Sequence, residues 1–252
     1  MKLLTLARDL GRRKAREKHS LFVAEGVRSV EELLRSGLKV QGVLVAAQLL
    51  SAPRGQALRK SLEQSGVEVL EVSEKDFRSA AETESPQGVL AIGEVPARSL
   101  NTLEIGSVCR LLLLDGVQDP GNVGTILRTA AAMGATATIA LAGTVDLWNP
   151  KVIRSSMGAQ FAHAAFHADT SETFPFLDRK KIELWAADAG GTALNRGDAS
   201  PRLAIALGNE GSGLSAEIRA AARKTISLPI AASVESLNVA VAAGIILYEL
   251  RA

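Results

Sequence analysis

The chain has 252 residues, 47% hydrophobic and 22% charged, with a net charge of +2, a balance that excludes a disordered polymer and leaves room for one large domain or two modest ones. Aromatic residues make up only 4%, which argues against a single-strand nucleic-acid binder built on stacked rings. A single cysteine, Cys109, excludes an internal disulfide and fits a reducing compartment.

No apolar run approaches the roughly 20 uninterrupted residues of a membrane-spanning helix, so no membrane association is expected. The first residues, MKLLTLARDLGRRKAREK, lack the continuous apolar stretch of a secretory signal, and a cytoplasmic protein is expected. They carry the densest positive cluster of the chain: Arg12, Arg13, Lys14, Arg16 and Lys18. Two readings are open. Either the cluster meets nucleic-acid phosphates, or it is the solvated face of a helix that packs Leu3, Leu4, Leu6 and Leu10 on its own domain.

Residues 21–95 read as a small α/β unit without paired catalytic groups. Leu21–Val23 is a short strand; Val27, Val30, Leu33 and Leu34 recur at helical spacing, and Gly37 ends that helix. Strands follow at Val40–Val45, Val67–Val72 and Val89–Ile92, with helices over Ala57–Gln64 and around Phe77. The stretch PARSLNTLEIGS, residues 96–107, is rich in turn-forming residues and marks a boundary. The expected organisation is a binding domain over residues 1–96, a linker over 97–107 and a second domain over 108–252.

The second domain opens on an unbroken apolar strand, Arg110–Leu114. A run without alternation is buried on both faces, as in a parallel sheet. A loop over 115–124, a helix over Thr125–Met133 ended by Gly134, and a strand over Ala137–Leu141 follow. Lys151–Phe161 reads as one helix, Ala164–Phe166 as extended, Phe174–Lys180 as a helix and Lys181–Ala187 as a strand. Leu203–Leu207 runs into a glycine-rich loop, 208–213, and then a helix over Ser215–Ala222. Repeated strand–loop–helix units give an α/β fold with a parallel sheet, whose sites lie at the C-terminal ends of the strands.

The last stretch, TISLPIAASVESLNVAVAAGIILYEL, begins as a strand over Thr225–Leu228, which Pro229 stops. Ser236-Leu237-Asn238 then opens a helix of small apolar residues, with Ser236 as either its cap or a site residue. The loops 115–124, 208–213 and 229–238 each follow a strand and precede a helix, where backbone N–H groups can hold a ligand. No Walker lysine follows Gly213, no G-x-G-x-x-G spacing occurs in the first loop, and no G-x-S-x-G elbow exists. An NTPase, a Rossmann methyltransferase, a nicotinamide enzyme or a serine hydrolase is disfavoured on that ground. Cys109, in an apolar strand, reads as a buried inert thiol. His19, His163 and His167 lack partners at metal-ligand spacing, so no metal is expected.

LLLLDGVQDPGNVGTILRTAAAMGA, IALGNEGSGLS and ISLPIAASVESLNVAVAAGIILYEL, in that order, resemble the three motifs of the SpoU (TrmH-type) family of RNA ribose 2'-O-methyltransferases. LFVAEGVRSVEELL and SPQGVLAIGEV resemble, more loosely, that family's small N-terminal RNA-binding domain. The resemblance implies an α/β SPOUT-class parallel-sheet domain tied in a deep trefoil knot, preceded by a small α/β RNA-binding domain. It implies S-adenosylmethionine as methyl donor, RNA as partner and a homodimer formed through the C-terminal domain. Large-subunit ribosomal RNA is the expected substrate, by analogy with members that have an extended N-terminal domain; the alternatives are transfer RNA, or a non-catalytic RNA binder that keeps a SPOUT-like domain.

The same resemblance places cofactor contacts at Gly208, Leu228 and Leu237, with Ala206, Leu207, Asn209, Ile226, Ile230 and Asn238 completing the pocket. It puts Arg128 at the reacting hydroxyl, with Asn122, Glu210, Ser236 and Asn238 around it. Arginine is a poor base, so Arg128 is read as a charge that stabilises the developing alkoxide. All five of these residues are retained, which argues against a decayed enzyme.

Overall fold

A computed structural model describes residues 2–231 and 233–251. They fall into two compact units, one of Met1–Ala97 with Trp148–Phe161, the other of Arg98–Leu147 with Ala162–Ala252. The chain opens with helices α1 (Lys2–Leu10) and α2 (Arg13–His19), followed by β1 (Leu21–Glu25), α3 (Val27–Arg35) and β2 (Val40–Val45). Then come α4 (Pro53–Ser65), whose first position is held by a proline suited to it, β3 (Val69–Glu71), α5 (Glu74–Arg78) and β4 (Val89–Glu94). In the second unit β5 (Cys109–Asp115), α6 (Pro120–Ala132) and β6 (Ala137–Ala140) lead to α7 (Pro150–Ser156) and α8 (Ala159–Ala162), which rejoin the first unit. The chain closes with β7 (Ala165–His167), α9 (Thr170–Lys180), β8 (Glu183–Ala193), β9 (Arg202–Gly208), α10 (Ala216–Ala221), β10 (Lys224–Ser227) and α11 (Val239–Glu249).

The first unit is built on a mixed sheet in the order β1-β4-β2-β3, with β4 antiparallel to both neighbours and β2 parallel to β3. On one face Ala7 and Leu10 of α1 join Leu21, Val23, Leu90, Ile92 and Phe77 in a core, with Leu3, Leu4 and Leu6 packed against it. On β1, Phe22 is fully buried and stacks on Trp148 at 4.5 Å and Phe161 at 5.6 Å between ring centroids. Gly93 sits opposite Phe22 in the ladder, and a Cβ there would come within 2.5 Å of that ring. Glu25 ends β1 buried, its carboxylate accepting from the Glu82 N–H at 2.9 Å and from the Thr83 hydroxyl.

The expected single helix over Lys151–Phe161 is two pieces. Met157 (φ 52°) and Gly158 (φ 90°) turn left-handed between them, and a Cβ on Gly158 would strike the Glu32 side chain at 2.5 Å. Arg16 also departs from expectation. It is 4% exposed and its guanidinium donates to the carbonyls of Leu10 and Gly11, both at 2.8 Å. An arginine spent on closing the α1–α2 turn does not meet phosphates. Arg12, Arg13, Lys14 and Lys18 stay exposed, the first two also pairing with Asp9 and Glu17.

The second unit is a six-stranded, all-parallel sheet in the order β10-β8-β9-β5-β6-β7. Leu111, Leu112, Leu113 and Leu114 on β5 are each 0% exposed, as the unbroken apolar run required. Each such side chain contributes about 1.5–3 kcal/mol by burial. Cys109 is buried too, and burial pushes its thiol above the ordinary range. The first glycine-rich loop is shorter than expected: α6 already begins at Pro120, capped by the Asp119 carboxylate, which accepts from the Asn122 N–H at 2.8 Å. Asn122 is therefore a first-turn helical residue. At the other end of the domain, Asn238 rather than Ser236 caps α11, its Oδ1 accepting from the Ala240 and Val241 N–H groups.

Candidate active site

The sheet's C-terminal edge supplies three loops, and side chains tie them together. Asp115, the last residue of β5, accepts from the Ser215 N–H at 2.6 Å. Asn209 donates to the Gly116 carbonyl at 2.8 Å while its Oδ1 accepts from Gly211 and Ser212. The loop after β9 is thus folded on itself and pinned to the loop after β5. Gly208 is required at its start: a Cβ there would lie 2.5 Å from the Gly213 carbonyl carbon and the Leu214 nitrogen.

A chain of polar side chains runs across these loops. Asn238 Nδ2 donates to Asn122 Oδ1 at 2.9 Å, and Asn122 Nδ2 donates to Glu210 Oε1 at 2.7 Å. Residues from the three expected site loops therefore meet in one hydrogen-bonded line. Arg128 lies further along α6 and is exposed, as is Ser236.

Beside this line a cavity of about 570 Å³ opens over the ends of β8, β9 and β10. That is the size range of small-molecule and cofactor sites. Leu207, Gly208, Asn209, Ile226, Leu228, Ile230, Leu237 and Asn238 line it, as do Glu210 and Ser236. Ala206 does not. It is 0% exposed and belongs to the core packed on the sheet, while its neighbour Leu207 lines the cavity. Asn122 and Arg128 are also outside the lining residues. The walls combine apolar side chains with glycines at 208, 211 and 213 that leave backbone groups open to the cavity.

One wall has no counterpart among the motifs of the sequence. Ala187, Asp188 and Ala189 of β8 line the cavity. Asp188 Oδ1 accepts from the Gly190 N–H at 3.0 Å, and Oδ2 pairs with the Arg219 guanidinium at 2.7 Å. The Gly190 N–H, and after it Arg219, hold this carboxyl below its ordinary range. A signal is present: Asp-Ala-Gly-Gly, residues 188–191, comes directly after the strand expected at Lys181–Ala187, as the other three loops follow theirs, but no helix follows it and the structure carries β8 on through it. Among the described residues no group of three His, Cys, Asp or Glu is placed to hold a metal, and no helix is long and apolar enough to cross a membrane.

A parallel α/β sheet with a ligand-sized cavity and converging amide and carboxylate groups at its strand ends defines a class of α/β proteins that bind a ligand at that edge. Within that class the chain belongs to the SpoU rRNA Methylase family, whose profile matches residues 110–248; the profile of the MRM3-like substrate binding domain matches residues 5–91. The chain is 34% identical over 250 residues to the 23S rRNA (guanosine(2553)-2'-O)-methyltransferase RlmP of Bacillus subtilis, covering 97% of this chain and 94% of that one. The crystal structure of the SpoU methyltransferase AviRb from Streptomyces viridochromogenes in complex with AdoMet superposes with a TM-score of 0.88 at 28% identity, over 99% of this chain and 97% of that one. The AdoMet-bound rRNA methyltransferase of Sinorhizobium meliloti gives 0.84 at 30% identity, over 99% and 94%.

Proposed function

We propose that this chain transfers a methyl group from S-adenosylmethionine to the 2'-hydroxyl of a ribose in large-subunit ribosomal RNA. The observation that carries the reading is the Asn238–Asn122–Glu210 line at the rim of a cavity of cofactor size. S-adenosylmethionine supplies an electrophilic methyl on a sulfonium. The loops at 208–213 and 228–238 hold it through backbone groups. The polar line orients the ribose hydroxyl beside it, and that placement removes a large share of the barrier. Arg128 stabilises the charge that develops on the 2'-oxygen. Ser236, at the cavity wall, hydrogen-bonds the incoming ribose.

Residues 1–96 act as the RNA-binding module, joined through 97–107 to a catalytic domain over 108–252, with Trp148–Phe161 completing the first unit. Arg12, Arg13, Lys14 and Lys18 meet phosphates. The C-terminal segment is threaded as a deep trefoil knot, a reading that rests on family membership. The active form is a cytoplasmic homodimer. On α11, Val241 (51% exposed), Ile245 and Tyr248 form an apolar stripe at i, i+4 and i+7, the kind of surface a second copy covers.

The test is a map of 2'-O-methyl sites in ribosomal and transfer RNA from cells with and without the gene, rescued by the wild type or by Arg128→Ala. One ribosomal site should vanish, returning with the wild type and not with the variant. Loss of a transfer-RNA site instead would move the substrate, and an unchanged map would remove the activity.

A further inference from the structure

The cavity wall at Asp188 is unusual in how it is made. β8 pairs with β9 only as far as Ala187, opposite Leu207. Against β10 its register jumps, from Thr225 opposite Ala186 to Ile226 opposite Thr192. Residues 188–191 therefore leave the ladder, with Asp188 and Ala189 lining the cavity beside Ala187. Gly191 allows the return because a Cβ there would come within 2.6 Å of the Ile226 backbone. This segment carries a carboxylate whose outer side is fixed. Arg219, which itself donates to the Leu214 carbonyl at 3.2 Å, clamps Oδ2 at 2.7 Å, and the Gly190 N–H donates to Oδ1. A carboxylate offers about four lone-pair sites, so two of them are left on an aspartate that lines the cavity.

We propose that Asp188, oriented by Arg219, accepts hydrogen bonds from the vicinal ribose hydroxyls of the adenosyl group. The inference rests on the cavity being the S-adenosylmethionine site. One feature favours the diol over the ligand's ammonium group. Asp188 is already paired with a guanidinium at 2.7 Å, so a second cation would face Arg219 across the carboxylate, whereas neutral hydroxyl donors would not.

Calorimetry on the full chain tests this with three probes: adenosylhomocysteine, 5'-methylthioadenosine, which lacks the amino-acid part, and 2',3'-dideoxy-5'-methylthioadenosine, which also lacks the diol. Asp188→Asn should weaken the first two equally, by about 10–100-fold, the effect of losing a charged hydrogen-bond acceptor. The dideoxy probe should bind the wild type and Asp188→Asn alike, and Arg219→Gln should fall between wild type and Asp188→Asn for the diol-bearing probes. If Asp188→Asn weakens adenosylhomocysteine alone, the contact is to the amino-acid part and the proposal fails. Unchanged affinity in the variant, or a wild type that does not distinguish the dideoxy probe from 5'-methylthioadenosine, overturns it without any bearing on the cavity. A wild type that binds none of the three removes the cofactor reading itself. Should Asp188→Asn not fold, the dideoxy comparison on the wild type decides alone.

Discussion

Asn238 and Asn122, 116 residues apart in the chain, share a hydrogen bond whose direction is set by the backbone. Asn238 Oδ1 is committed to the Ala240 and Val241 N–H groups as the cap of α11, so only its Nδ2 can face Asn122. Asn122 must then accept on Oδ1 and donate from Nδ2, and the acceptor it finds is Glu210. One helix cap thus orients three side chains. Asn238→Asp keeps the cap, and a negative charge there suits a helix N-terminus, but it sets a carboxylate oxygen against Asn122 Oδ1. The variant should hold its melting temperature while methyl transfer falls by about 10²–10³-fold. A loss of both together would make Asn238 structural only.

Gly208 matters first for the loop that it opens and only then for the ligand. The nearest obstacles to a side chain there are Gly213 and Leu214, both at 2.5 Å from a Cβ. Gly208→Ala should therefore cost about 1–3 kcal/mol in the folded protein even without ligand, and cofactor affinity should fall with it. Denaturant melts of the ligand-free variant separate the two effects. A stability equal to wild type would show that the loop yields.

The N-terminal cluster divides into residues with different tasks. Lys14→Glu with Lys18→Glu should weaken RNA binding. It should also flatten the dependence of log affinity on log salt, by about 0.7 for each phosphate of single-stranded RNA that the chain no longer neutralises. Arg16→Ala should instead lower stability by about 2 kcal/mol, leaving the Leu10 and Gly11 carbonyls without their charged donor. Filter binding at several salt concentrations, beside melting curves, checks both. A salt slope unchanged by the double charge reversal would return the whole cluster to the role of a solvated helix face.

His163 is buried against Thr138, with Nε2 2.9 Å from its hydroxyl, and burial, aided by the nearby Arg98 charge, pushes its pKa down to about 4. An unfolded histidine titrates near 6.5. Between those values the unfolded chain binds the extra proton, so stability falls as pH drops from 6.5 toward 4, by roughly 3 kcal/mol in all. Above 6.5 the residue has no effect on the slope. His163→Gln should flatten this part of the stability–pH curve relative to wild type. Parallel curves for the two proteins would remove the assignment.

The parallel sheet was legible from Leu111–Leu114, because burial on both faces leaves a mark that needs no partner to interpret. Gly208, Leu228 and Leu237, expected as cofactor contacts from the resemblance of their loops to family motifs, line the cavity. Asp188 could not be expected in this way, since what brings it to the cavity is a register jump between two strands, and pairing register leaves no local trace. Ala206 is off by one step of alternation: its neighbour Leu207 faces the cavity, and successive strand residues face opposite ways. Arg16 looks like its neighbours in sequence because charge alone does not report that two helix-end carbonyls stand within reach.

Phe22 has a further consequence, for the order in which the protein is made. Its ring is covered by Trp148 and Phe161, residues that leave the ribosome only after β5, α6 and β6 have been synthesised. The amino-terminal unit can form its sheet early, with α1 and α3 packed against it, but the Phe22 ring lacks both stacking partners until translation has passed residue 161. A nascent chain paused before that point would carry this aromatic ring unstacked on β1, and chaperone engagement should peak there and fall once the aromatic sandwich closes.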